Sequence, residues 1–169
     1  MSIKERVEDA EALWRQGRKE GAWVLALIAA AATSRKRYPK PTHDNEAFKS
    51  FIRDVLPTLM YGKPLQGTPN PRILFGQIPV EDIIYEHLRC NLIHEAAPSP
   101  QVAFSESKIV DGKVQATLVV GSPNVIPDFW VIHLLKSVRE APENVAEFGQ
   151  PPNLGVQPTP ASGHGLRKH

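Results

Sequence analysis

The chain is predicted to be a mainly α-helical domain: about five helices, one β-hairpin and a disordered C-terminal tail. Three observations predict it. Apolar residues recur at helical spacing in successive segments of the first hundred positions. One segment, about 102–120, switches to a period of two around Asp111-Gly112, a strong two-residue hairpin signal. The stretch 149–169 holds four prolines, four glycines and almost no large apolar residue, too little to offset the entropy of ordering it. Residues 1–148 are therefore read as one domain and 149–169 as the tail.

The totals fit this. With 169 residues, 41% hydrophobic and 22% charged, the chain is long enough for one substantial core. A net charge of +2 and a pI near 8.7 permit anionic partners without requiring them. The single cysteine excludes an internal disulfide and a cysteine-based zinc site.

Ile3, Val7, Ala10 and Trp14 repeat on one face of a first helix, about 3–16, with Ser2 as its cap and Gly17 as its break. A second helix follows over about 18–37, stopped by Pro39 and Pro41. Its Ala-rich run, 22–32, falls short of the roughly 20 apolar residues that span a bilayer. The residues before it balance acids against bases, unlike a secretory leader, so no membrane association and a cytoplasmic location are expected. The run Arg35-Lys36-Arg37-Tyr38-Pro39-Lys40 is the densest positive cluster. It is read either as cations at a helix C-terminus or as an RNA phosphate-contacting patch of Arg35, Lys36, Arg37 and Lys40.

Asp44 or Thr42 is expected to cap a third helix, about 45–56, packed through Phe48, Phe51, Ile52 and Val55, with Pro57 ending or bending it. Residues 62–71, with three prolines and two glycines, read as a loop. Residues 72–78 are ambiguous between extended chain and a turn. The helix after them, about 79–96, places Ile84, Tyr85, Leu88 and Leu92 on a core stripe. Ile83, Glu86, His87, Cys90, Ile93 and His94 fall on the other side, with Arg89 and Asn91 at the edges. The hairpin strands are expected at about 102–110 and 113–120, with Ile109 opposite Val114. A last helix, about 127–140, carries Phe129, Trp130, Leu134 and Val138; its His133 reads as a satisfied core residue.

The spacing Arg89-x4-His94, within Tyr85-x2-Leu88-Arg89-x2-Leu92-x-His94, resembles the motif of the HEPN superfamily (higher eukaryotes and prokaryotes nucleotide-binding domains). In that family an arginine and a histidine sit near the end of a core helix, often with a polar residue directly after the arginine. Here that position is Cys90, and the polar residue, Asn91, comes one later. The resemblance implies a HEPN-like helical bundle and a metal-independent endoribonuclease that uses the 2′-hydroxyl of RNA as nucleophile. It also implies a homodimer with a composite cleft, and a toxin or defence role with a possible protein antitoxin.

The residue types support such chemistry. A histidine titrates near neutrality and suits His94 to proton transfer. The planar guanidinium of Arg89 suits a scissile phosphate, and Asn91 can orient a ring nitrogen or donate to phosphate. No cofactor or metal is called for. On an ideal helix Arg89 and His94 stand about 140° apart, which motivates a second copy in the site. The competing reading is a non-catalytic HEPN-like module that binds nucleotide, RNA or a protein partner. In a purely structural reading, Arg89 pairs with Glu86 or Asp82 and His94 merely complements the helix dipole. A Cys90–His94 nucleophile pair is weaker, because mid-helix backbone donors are already used.

Overall fold

The computed structural model describes residues 1–65, 71–95 and 97–149. The tail beyond Gly149, loop positions 66–70 and Ala96 lie outside them. The domain is mainly helical. Helix α1 (Ile3–Arg15) starts from a full capping box: the Ser2 hydroxyl accepts from the Glu5 amide at 3.1 Å, and the Glu5 carboxylate takes the Ser2 amide at 2.6 Å. Three residues, with Gly17 at φ +74°, lead into α2 (Lys19–Arg37). Such a short join lays the two helices against each other as a pair.

Helix α2 is the axis of the fold and packs on α1, on α3 (Asp44–Tyr61) and on α6 (Trp130–Arg139). Its buried face is mostly small, Ala22, Ala26, Ala29 and Ala30, so neighbours approach closely, while Trp23 and Leu27 supply bulk. Phe48, Phe51, Ile52 and Leu56 of α3 complete the centre of the core.

One expectation for α3 is corrected. Neither Thr42 nor Asp44 caps it: the N-cap is His43, with no side-chain bond, and Asp44 instead pairs with Arg35 at 3.1 Å. Of the two readings of Pro57, ending or bending the helix, the first does not hold: the helix runs through to Tyr61 because Leu56, Pro57, Thr58 and Leu59 are all buried, so packing outweighs the lost amide bond. Gly62, at φ +71°, closes it in the left-handed region, and its amide bonds the Thr58 carbonyl at 2.8 Å. The carbonyls freed at this end are taken by α6. Nδ1 of His133 lies 2.7 Å from the Leu59 oxygen, and Lys136 donates to the Gly62 oxygen at 2.6 Å. His133 is thus the satisfied residue its helix implied.

Residues 72–78 resolve as a miniature hairpin, β1 (Leu74–Phe75) against β2 (Ile78–Pro79), turning at Gly76. The motif helix follows in three continuous pieces: α4 (Val80–Ile83), a π-helical segment (Ile84–Cys90) and α5 (Asn91–His94). The π segment corrects the helical wheel. Each π turn holds about one residue more than an α turn, so residues before it are rotated relative to those after it. Ile83, placed on the outer face by a uniform 100° step, is therefore core, 1% exposed beside Ile84 and Leu88.

The β region is also corrected. The hairpin is short, β4 (Lys108–Val110) with β5 (Lys113–Gln115), in the expected register of Ile109 on Val114. Asp111 (φ 50°) and Gly112 (φ 71°) give the left-handed pair that a type I′ turn needs. The first half of the expected strand belongs elsewhere. β3 (Val102–Ser105) pairs in parallel with β6 (Asn124–Pro127), and the hairpin lies within the crossover between them. Buried Asp128 locks that corner: it receives Lys19 Nζ at 2.7 Å and the Ser107 amide at 3.2 Å. Beneath it Phe104 stacks on Trp23, ring centroids 5.4 Å apart.

The last described segment, a 3-10 turn (Pro142–Asn144) and α7 (Val145–Phe148), returns to α1 and α2. The Asn144 amide is fully buried, donating to Thr33 Oγ1 at 2.9 Å and to the Val138 carbonyl at 2.8 Å. Glu147 accepts the Lys4 amide at 3.0 Å and Lys36 at 2.8 Å. Among the described residues no helix is long and apolar enough to cross a membrane.

Candidate anion site at Arg89

Three of the four basic residues in the 35–40 run are committed to holding the fold. Arg35 grips the α2–α3 connection, pairing with Asp44 and donating to the Thr42 carbonyl at 2.8 Å and the Tyr38 carbonyl at 3.2 Å. Lys36 binds Asn144 and Glu147. Arg37 makes a two-pronged bond to Glu143, at 2.8 and 3.2 Å, reaches Asp54 at 3.1 Å and lies over Phe51. Tyr38 also bonds Asp54, at 2.5 Å. Burial first, and then that carboxylate, push the Tyr38 phenol up to about 12. Lys40 is exposed and has no ion pair among the described residues. It lines an open groove of about 910 Å³ of mixed charge, with Arg35, His43, Asp44, Asn45, Glu46 and Tyr85.

Tyr85 leads from that groove to Arg89. One π turn separates the two, and the Arg89 guanidinium lies 5.3 Å from the centroid of Tyr85 and 5.3 Å from that of Phe48. The two rings are 5.8 Å apart and tilted by 52°, so they form an aromatic seat for the cation. Lys49 approaches Tyr85 as well, at 5.3 Å, but it is neutralised by Asp82 at 2.8 Å. That bond is the main reason the Lys49 ammonium titrates above its usual range. Glu81, the other acid at the start of the helix, is held by Arg53 at 2.9 Å.

Arg89 is left without a carboxylate among the described residues, and its Nε is buried with no hydrogen-bond partner. Neither Asp82 nor Glu86 takes it, contrary to the structural reading. A half-buried guanidinium on two rings, with no ion pair or hydrogen bond among the described residues, has the charge and the planar donor set that suit an anion.

The remaining motif residues stand apart from this seat. His94 is exposed at the end of α5, and Asn91 is half-buried. No hydrogen bond joins either to Arg89 among the described residues. The outer face of the helix retains Ile93, 38% exposed, as its one exposed isoleucine. Among the described residues no group of three or more His, Cys, Asp or Glu is placed to hold a metal ion.

A family model described as Rv1289 matches residues 2–150. The chain belongs to the Rv1289 family. No curated protein and no solved structure matches this Rv1289-family member. Phe48, Tyr85 and His43 were not among the site residues read from sequence. The Tyr85–Arg89 spacing, i to i+4 on a helix, carried a usable signal for one of them. Phe48 joins the site from another helix, and no local pattern marks it.

Proposed function

We propose that this Rv1289-family domain is a cytoplasmic recognition module that binds a phosphate-bearing ligand of the RNA or nucleotide class at Arg89. One observation carries the reading: a guanidinium seated on two aromatic rings that no acid among the described residues neutralises. A phosphate would supply the missing charge and accept from the Nη groups, and the neighbouring groove, where Arg35, Lys40 and His43 stand with Asp44 and Glu46, would accommodate the less charged remainder of the ligand. Anisotropy of a fluorescein-labelled short RNA, with ATP as competitor, tests it. Arg89→Ala is expected to lose about 1.5–3 kcal/mol, roughly ten- to a hundredfold in affinity, and Arg89→Lys to recover only part of that. Affinity unchanged in Arg89→Ala rejects the site.

Metal-independent RNA cleavage of the HEPN type is the second reading, favoured by the exposure of His94, which leaves its ring free for proton transfer. That reading needs a second copy to bring a His94 to the phosphate held by Arg89; a toxin role with a protein antitoxin depends on it. RNA incubated with the protein in EDTA should then yield 2′,3′-cyclic phosphate ends, and both Arg89→Ala and His94→Ala should abolish them.

A further inference from the structure

The hairpin is an element that its own fold leaves uncovered. Every residue of β4 and β5 is exposed; Ile109 is 80% exposed and Val114 58%. A two-stranded ribbon is marginal in water without a further strand or a packed face. Ile109 and Val114 stand directly opposite each other and so share one face. Val114 also lines an apolar groove of about 480 Å³ with Met60, Tyr61, Leu118 and Phe129. Ile109, Val114, Tyr61 and Leu118 together leave on the order of 400 Å² of apolar surface open to solvent, a patch size that is often functional. No charged side chain lines the groove. Alternation along the strands puts Lys108 and Lys113 on the other face of the ribbon, with Gln115.

The edge of β5 limits what can cover this patch. The residues flanking a two-residue turn exchange both ladder bonds, so Val110 bonds Lys113 and Lys108 bonds Gln115. Val114 alone in β5 therefore turns its amide and carbonyl away from β4, along an edge that no described strand pairs. An antiparallel visitor must set its own outward-turned residue opposite Val114. A second copy does this by symmetry. With the two-fold axis at Val114, each Val114 amide donates to the Val114 carbonyl of the other copy, as an isologous contact requires. Lys113 then stands opposite Gln115 of the other copy, so like charges do not face each other. A foreign partner finds no charge on this face to recognise, whereas a second copy needs none.

We infer that two copies of this chain pair through β5 into a four-stranded antiparallel sheet. Two Ile109 and two Val114 side chains join on its apolar face. The contact is small, so the dimer is reversible, with a Kd of about 10–100 µM. It is independent of the anion site: Phe48 of the Arg89 seat and Met60 of the groove lie roughly 18 Å apart along α3.

Sedimentation of the intact chain from about 1 to 200 µM tests it, and a monomer–dimer equilibrium is expected. Val114→Pro removes the outward amide, which the hairpin ladder does not use, and should weaken the dimer at least about tenfold with helicity unchanged by circular dichroism. Gln115→Glu sets a carboxylate opposite Lys113 of the other copy and should tighten it several-fold at low salt. Ile93→Lys, on the motif helix, should leave it unchanged. A chain that stays monomeric at about 200 µM overturns the proposal. So does a dimer that keeps its affinity in Val114→Pro, that Gln115→Glu fails to tighten, or that Ile93→Lys dissociates.

Discussion

Arg89 stands half-buried with no acid beside it among the described residues, and this has opposite consequences for stability and for binding. Its Nε–H is a buried donor with no acceptor among them, a state that costs about 1–3 kcal/mol. Arg89→Met keeps most of the packing on Phe48 and Tyr85 and removes that burden. Urea denaturation should therefore show the variant as stable as the parent or up to about 1 kcal/mol more so, while the anisotropy assay shows the anion lost. A stability loss above about 2 kcal/mol would mean that the guanidinium is structural. Tyr85→Leu removes one of the two ring faces, each worth about 0.5–2 kcal/mol to a cation, and should weaken the RNA probe several-fold. The sequence made Arg89 conspicuous through its helix and its neighbours. The aromatic seat was invisible because half of it comes from α3, 41 positions away. The partners of the basic run were hidden for a related reason: Arg35, Lys36 and Arg37 meet acids at Asp44, Glu147 and Glu143, and two of those three lie more than a hundred residues on.

At the scale of elements, the periodic helices were the legible part, since α1, α2, α3 and α6 each bury a stripe that repeats every three to four residues. The parallel β3–β6 pair was not. β6 is four residues that follow one proline and end on another, too short to alternate, and its partner is 22 positions earlier. The π segment was likewise hidden, because nothing in Ile84–Cys90 announces an extra residue per turn. Two variants separate the peripheral element from the central one. Gly112→Ala meets no atom within 4 Å but must hold φ +71°, a penalty of about 1–2 kcal/mol. Since β4 and β5 are exposed throughout, that penalty should appear as faster amide exchange in the hairpin and leave the global urea midpoint nearly unchanged. Asn144→Ala, by contrast, removes two buried hydrogen bonds, leaving Thr33 Oγ1 only its bond to the Ala29 carbonyl and the Val138 carbonyl only the Ala141 amide, and should lower global stability by about 1–3 kcal/mol in the same urea titration.

For the molecule as a whole, the seam between α2 and the last described turn sets the pH response. The Arg37 guanidinium holds the Glu143 carboxyl below its ordinary value of 4.5, and Lys36 does the same for Glu147. A depressed folded pKa gives stability that is present above about 4.5 and is lost as pH falls through the folded value. Thermal melts should therefore drop on acidification below about 4.5, and less steeply in Glu143→Gln, which has already lost that ion pair. Tyr38 acts at the other end: its raised phenol keeps its contribution below 10 and loses it as pH rises toward about 12. The same seam brings position 4 against position 147, with the Lys4 amide on the Glu147 carboxylate. A domain whose first helix meets its last described one can be rewired: a short Gly-Ser bridge from 149 to 2 in place of residues 150–169, with new ends opened between Asp111 and Gly112, would reorder the gene while preserving the core. Such a circular permutant is expected to fold and to retain the Arg89 site, because the helices that build it, α3 and the motif helix, stay in one uninterrupted piece. It would also free β5 from its turn, making an exposed strand into an adjustable terminus for fusion proteins.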